Sequence, residues 1–202
     1  LNSSDAITLS RDKLRALQHL AAHGVPVPET IALHDASEID AALKRVGGTP
    51  VILKLLKGTQ GIGVIKAESV EQTRSTLETL WSLGESVLIQ RYVAESSGRD
   101  VRAFVVGSEV VAAMYRTAQE GEFRSNLHRG GTSEPARLNA REQEVALHAA
   151  SSLGLELAGV DMLLANEGPL VIEVNSSPGL EGIEKTTGRD IARKVIQHID
   201  GD

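Results

Sequence analysis

The sequence predicts an α+β chain, on three observations. Apolar strands are joined by turn signals at Gly107-Ser108 and at Asn166-Glu167-Gly168, so neighbouring strands pair as antiparallel hairpins. Other segments carry apolar residues at helical spacing, such as Leu14, Leu17, Leu20 and Ala21. A glycine-rich loop at 57–63 joins a strand to a strand, so the βαβ pattern of a parallel sheet is missing.

Each element has a local reason. Ser10 caps a helix over 10–23 that Gly24 ends. Val25-Pro26-Val27-Pro28 is an extended connector, followed by a strand near 30–33 and a helix over 37–46. Strand 51–56, the loop, strand 63–67, helix 69–83 and strand 86–93 come next. Strands 100–106 and 109–116 form the first hairpin. The polar stretch 119–133 has no periodicity and reads as a long loop, which at that length is functional or mobile. Helix 140–153 precedes the second hairpin, and an amphipathic helix covers 190–199. The expected parts are an N-terminal helix within 1–23, a small lobe over 24–93 and a large lobe over 94–202. A cleft between the lobes is the expected ligand site.

Bulk properties narrow the function. With 202 residues, 41% hydrophobic and 24% charged, the chain has the balance of a soluble globular protein with a sizeable core. No apolar run reaches transmembrane length and no signal-peptide pattern opens the sequence, which points away from membranes and to the cytoplasm. The absence of cysteine excludes disulfides, thiolate metal sites and a cysteine nucleophile. A formal charge of −6 argues against direct nucleic-acid binding. Two Phe, two Tyr and one Trp leave no base-stacking platform. The first residue is Leu1 and not Met, as in a fragment or a processed piece.

The second hairpin carries the strongest chemical signal. The stretch AGVDMLLANEGPLVIEVNSSPG (158–179) sets Asp161, Glu173 and Asn175 into two apolar strands. An unpaired buried carboxylate is costly, so these groups need partners. Glu173 and Asn175 are two apart and share a face. Hard oxygen donors on adjacent strands suit Mg²⁺. Asp161 by itself reads equally well as an edge-strand charge or a salt-bridge partner; the triple with the following Ser-Ser-Pro-Gly turn reads as a metal cradle.

The loop Lys57-Gly58-Thr59-Gln60-Gly61-Ile62-Gly63 is the second signal. Its glycines let backbone N–H groups approach a polyphosphate. It is neither a Walker A loop nor a dinucleotide fingerprint, since the spacing and context differ. By itself it is equally a plain hairpin loop. Lys54, set in the apolar strand before it, needs an anion, and phosphate is the obvious one. Lys13 lies in the first turn of its helix, where the dipole disfavours a cation. A phosphate would explain it, and so would solvent exposure.

Taken together, these pieces resemble the ATP-grasp carboxylate–amine ligases, and within them the RimK-type ligases that add glutamate to the C-terminus of a small-subunit ribosomal protein. The closer match is carried by RDKLRALQ (11–18), KLLKGTQGIGV (54–64), FRSNLHRGG (123–131), AGVDMLL (158–164) and VIEVNSSPGLEGIEKTTG (171–188). It covers about 9–199. The family carries a further N-terminal domain ahead of this part. Arg91 departs from the acidic residue usual at the hinge.

The resemblance implies an ATP-grasp fold of two α+β lobes with ATP between them. Backbone groups of Arg91 and Tyr92 would meet the adenine and Asp100 the ribose. Lys13, Lys54, the loop residues Thr59, Gln60, Gly61, Ile62 and Gly63, and the run Arg124, Ser125 and Asn126 would hold the nucleotide. Asp161, Glu173 and Asn175 would hold two Mg²⁺, or Mn²⁺, with Glu173 bridging. The implied reaction makes an acylphosphate that an amine attacks, and its oxyanion needs nearby positive charge. Arg116 and Arg124 are the catalytic candidates; for Arg116 a surface charge at the strand end reads equally well. Arg129 is assigned to substrate or phosphate, and His128 reads as a loop residue. The partners implied are L-glutamate and a ribosomal-protein C-terminus, in a homotetramer. The alternatives are an ATP-grasp ligase acting on a coenzyme, carrier protein or small metabolite, and a nucleotide-binding module without catalysis.

Overall fold

A computed structural model describes residues 1–56, 63–96, 98–125 and 130–201. The chain divides into two compact units, Pro28–Ala94 on the one hand and Leu1–Val27 with Glu95–Asp202 on the other.

The Pro28–Ala94 unit is a four-stranded antiparallel sheet with helices on one face. Its elements are β1 (Thr30–Leu33), α3 (Ile39–Arg45), β2 (Val51–Leu55), β3 (Val64–Ala67), α4 (Val70–Ser82) and β4 (Val87–Arg91). The strand order is β1-β4-β2-β3. Alternation sorts the side chains. Leu33, Val51, Leu53, Ala67, Val87 and Ile89 are buried with Ile39, Leu43, Val46 and Leu77 in one core. The other face carries Thr30, Ile52, Lys54, Lys66 and Gln90, with Ile52 opposite both Lys66 and Gln90. Gly63, just before β3, lies against the end of β2, its carbonyl accepting from Leu55 N at 2.8 Å. Its φ is 79°, and a Cβ there would lie 2.9 Å from Leu55 Cβ, so only glycine fits without strain.

The larger unit begins with α1 (Ser4–Arg11) and α2 (Lys13–Ala22). Here the expectation of one helix capped by Ser10 is corrected. Ser10 lies inside α1, its hydroxyl donating to Ile7 O. The chain breaks at Asp12, whose extended backbone and carboxylate, accepting from Arg15 N at 3.0 Å, cap the second helix. Then follow β5 (Arg99–Val106), β6 (Glu109–Thr117), β7 (Thr132–Pro135), α5 (Ala140–Ser152), β8 (Leu157–Ala165), β9 (Gly168–Asn175), α6 (Glu181–Thr187) and α7 (Ile191–Asp200). The stretch read as loop 119–133 thus ends in β7, an edge strand without apolar periodicity that pairs with β6. The short helix α6, which buries only Ile183, also escaped the periodicity.

The five strands pair antiparallel in the order β7-β6-β5-β8-β9. One face packs Val101, Ala103, Val105, Val160, Met162, Val171 and Val174 against α5, α2 and α1. The opposite face has two halves. At one end Phe104, Val106, Ala112 and Met114 are covered by Ile183 of α6 and Ile191 of α7. At the other end the same face carries Asp100, Arg102, Arg116, Asp161, Glu173 and Asn175.

Candidate active site

The hairpin β8–β9 sets the acidic groups side by side. Asp161 is directly opposite Glu173, and Gly159 is opposite Asn175. Residues opposite each other share a face, with Cβ atoms about 5 Å apart. A bulge follows Asp161, leaving Ile172 as the extra residue between Glu173 and the next pair, Met162 with Val171. Gly159 has a packing reason: a Cβ there would lie 2.9 Å from Pro178 Cβ. The Ser-Ser-Pro-Gly turn therefore folds down over β8 beside Asn175. Asn2 anchors the same turn, its amide donating to Ser176 O and to Leu157 O at 2.8 Å each.

Asp161 does not stand alone in this apolar strand. Arg102, its cross-strand neighbour on β5, donates from Nε to Oδ1 and from Nη2 to Oδ2, both at 2.7 Å. Arg116 grips Asp100 in the same way, at 2.7 and 2.6 Å, and its Nη2 also approaches Asp161 Oδ2 at 3.0 Å. Ser125 Oγ donates to Asp100 Oδ2 at 2.6 Å. Two guanidinium groups and two carboxylates form an electroneutral buried network. Arg116 and Asp161 are only 4% and 3% exposed, so neither charge is solvated by water.

The network sets the protonation states. Burial by itself would raise the Asp161 carboxyl, but the charges and hydrogen bonds of Arg102 and Arg116 outweigh it and hold it at about 2. Burial pushes the Asp100 carboxyl up, against the pull of Arg116, because the Asp161 charge adds to the desolvation. The two carboxylates hold the Arg116 guanidinium charged despite its burial.

The donor set fits a hard divalent cation. Asp161, Glu173 and Asn175 offer two carboxylates and an amide oxygen on one face. Arg102 and Arg116 use three of the roughly four lone-pair positions of the Asp161 carboxylate, which leaves it acceptor capacity toward a metal. Among the described residues no group of three His, Cys, Asp or Glu side chains is placed to hold a metal ion, so an ion here would need the Asn175 amide or oxygens from outside the protein.

The remaining candidates fall as follows. Arg124 is held by Glu122, Nε to Oε1 at 2.9 Å and Nη2 to Oε2 at 2.7 Å. The same carboxylate accepts from the Phe123 and Arg124 N–H groups. The Arg124 hydrogen bond holds the Glu122 carboxyl at about 2. Lys13 is the first residue of α2 and Lys54 lies near the end of β2. Arg91 ends β4, its N–H donating to Glu29 O at 2.9 Å. Tyr92 follows, with Lys66 Nζ 4.4 Å from its ring centroid. Thr59, Gln60, Gly61, Ile62 and Asn126, with His128 and Arg129, lie outside the described residues.

Arg102 is the residue that sequence reasoning passed over. The signal was present: Asp100 and Arg102 are two apart inside an apolar strand, and the demand for a partner that singled out Asp161 applies equally to them.

Comparison with known proteins shows the family and the fold. A "Probable alpha-L-glutamate ligase" of Picosynechococcus sp. is 54% identical over 199 residues, 98% of this chain and 66% of that protein. A "Ribosomal protein bS6--L-glutamate ligase" of Salmonella paratyphi B is 52% identical over 200 residues, 99% of this chain and 67% of that protein. The chain thus spans about two thirds of the length of the curated relatives it matches. The ATP-grasp ligase PsnB, solved with Mg, ADP and a phosphomimetic variant of a minimal precursor, superposes with a TM-score of 0.78 at 23% identity, covering 99% of this chain and 61% of that one. That likeness shows the ATP-grasp fold. Residues 10–199 match the RimK-like ATP-grasp domain, and the chain belongs to that family.

Proposed function

We propose that this chain is the ATP-grasp part of an ATP-dependent ligase that adds L-glutamate to the C-terminus of a small-subunit ribosomal protein through an acylphosphate. The observation that carries the reading is the Asp161–Glu173–Asn175 face, with Asp161 held ionised by two arginines. Membership of the RimK-like family and the names of the two relatives support the substrate.

Asp161, Glu173 and Asn175 would hold two Mg²⁺, with Mn²⁺ able to replace them. Bound there, the ions supply charge neutralisation for the polyphosphate, which otherwise repels an incoming carboxylate. Lys13, Lys54 and Gly63, with Thr59, Gln60, Gly61 and Ile62, are assigned to the phosphates. Arg91 and Tyr92 are assigned to the adenine, and Asp100 to the ribose. The Asp100 carboxylate already accepts from Arg116 twice and from Ser125, so a ribose hydroxyl would take its remaining acceptor position.

Arg124 is assigned to the developing oxyanion, its guanidinium preset by Glu122. For Arg116, burial and its two carboxylate partners favour a role behind Asp100 and Asp161 over direct contact with the reacting oxygen. Ser125 and Asn126 complete the nucleotide set. A homotetramer and a cytoplasmic location belong to the same proposal, supported by the family resemblance and the ribosomal acceptor.

The test is ADP release with Mg²⁺ and ATP, comparing glutamate alone with glutamate plus a peptide copying the acidic C-terminus of the ribosomal protein. Mass spectrometry should show glutamate increments on the peptide. ADP release with glutamate and no peptide gain would move the acceptor to a coenzyme, carrier protein or small metabolite. ATP binding without turnover would favour a non-catalytic nucleotide-binding module.

A further inference from the structure

The face of the Pro28–Ala94 sheet turned away from its core carries a polar relay that ends in an unused acceptor. The registers line up Thr30 of β1, Gln90 of β4, Ile52 of β2 and Lys66 of β3 as one row across the four strands. Gln90 is only 2% exposed, in a strand otherwise apolar up to Arg91. An amide in such a place needs its hydrogen bonds met. Its Nε2 donates to Thr30 Oγ1 at 2.7 Å, and that hydroxyl donates onward to Pro28 O at 2.8 Å.

This relay fixes which way the amide faces. A carbonyl oxygen only accepts, so the single hydroxyl proton of Thr30 goes to Pro28 O. The hydroxyl oxygen is left to accept, and only the NH₂ end of Gln90 can donate to it. Oε1 is thereby turned away from Thr30. Among the described residues no donor meets it, and it is not sealed from solvent. An acceptor of fixed direction thus opens on this face beside Ile52, which is buried yet belongs to none of the apolar cores of the described residues. Lys54 lies two residues further along the same face of β2, about 7 Å away. Arg91 and Tyr92 directly follow Gln90.

We propose that Gln90 selects the nucleobase: its Oε1 accepts from the exocyclic amine of adenine, with Ile52 as the apolar floor under the ring. The proposal rests on the reading of this chain as ATP-binding, and adds a discriminating side chain to the backbone groups of Arg91 and Tyr92. Hypoxanthine and guanine present an oxygen where adenine presents an amine. Two acceptors would then face each other, and the amide could not turn over, because Thr30 holds its other end. A buried acceptor left without a donor costs more than a typical hydrogen bond gains, so the fixed amide rejects these bases. Thr30 is a positioning residue that acts through Gln90.

Calorimetric titration of the full chain with ADP and with IDP, each in excess MgCl₂, tests this. The native chain should bind ADP at least about fivefold more tightly than IDP. Gln90→Leu, which keeps the volume, should weaken ADP about two- to tenfold and bring the two nucleotides closer together. Thr30→Val keeps the shape but lets the amide turn over, so ADP should weaken and IDP should gain. A merely structural role for Thr30 would weaken both alike. Thr79→Ala, which removes an exposed hydroxyl on α4, should leave the ratio native. Equal affinity of the native chain for ADP and IDP, or an unchanged ratio in either Gln90→Leu or Thr30→Val, would overturn the proposal while leaving the nucleotide reading in place. No ADP binding in excess Mg²⁺ would overturn both.

Discussion

Arg102 holds both carboxylate oxygens of Asp161 across the β5–β8 pair, at 2.7 Å each. A planar guanidinium fork matches a carboxylate in both distance and direction, which a lysine cannot do. The candidate metal ligand is therefore oriented by the protein before any ion arrives.

Arg102→Met should unfold more easily. It leaves Asp161 with Arg116 as its remaining cation, and removing one partner of a buried pair costs about 3–5 kcal/mol. The Arg102 side chain is 20% exposed, so the lower end is expected. Urea denaturation gives the value; a loss under about 1 kcal/mol would mean the pair behaves as a surface bridge. Arg102→Lys should recover only part of the loss.

Glu173→Ala should abolish ligation while leaving the fold intact, since Glu173 is exposed and both ions would lose a ligand. Peptide mass after incubation is the readout, with circular dichroism as the check on folding. Full activity would remove Glu173 from the metal site.

Gly159→Ala tests the turn over β8. The new methyl group would meet Pro178 Cβ at 2.9 Å and push the turn that follows Asn175. Overpacking of this kind costs about 1–3 kcal/mol. The more telling outcome is a raised Mg²⁺ requirement for activity, measured by titrating Mg²⁺ at saturating ATP.

Arg124→Ala should lower kcat by about 100–1000-fold if its charge meets the oxyanion. Single-turnover kinetics separate this from a binding defect. An effect confined to KM would assign Arg124 to substrate binding.

Acid should act through the two aspartates with opposite signs. Asp161 is held at about 2, below its ordinary 3.8, so its stabilisation is whole above that ordinary value and is lost as pH falls through about 2. Asp100 is raised, so its protonation favours the folded state as pH falls toward its ordinary 3.8, above the range in which Asp161 loses its stabilisation. Thermal melts between about pH 4 and 2 should therefore fall less steeply in Asp161→Asn than in the native chain, whereas Asp100→Asn should lose the gain in Tm that acidification toward about pH 4 gives the native chain.

By itself the amino-acid order determined the features that depend on near neighbours. The Asn166-Glu167-Gly168 turn sets Asp161, Glu173 and Asn175 on one hairpin and the two-residue spacing puts Glu173 and Asn175 on one face, but the bulge after Asp161 is what brings its carboxylate to that face. Gly63 takes a positive φ close against Leu55, a backbone position that a glycine in the sequence can announce. The motif blocks, read as a set, named the family that residues 10–199 match. Other features waited for the tertiary structure. The break at Asp12, the edge strand β7 and the helix α6 have too little apolar periodicity to be read, since packing and capping hold them in place. The pairing of Arg102 with Asp161 and of Arg116 with Asp100 depends on registers between strands far apart in the chain. A charge inside an apolar strand declares that it needs a partner. Which partner it finds is decided when the strands align, because a shift of one residue would turn every side chain to the other face.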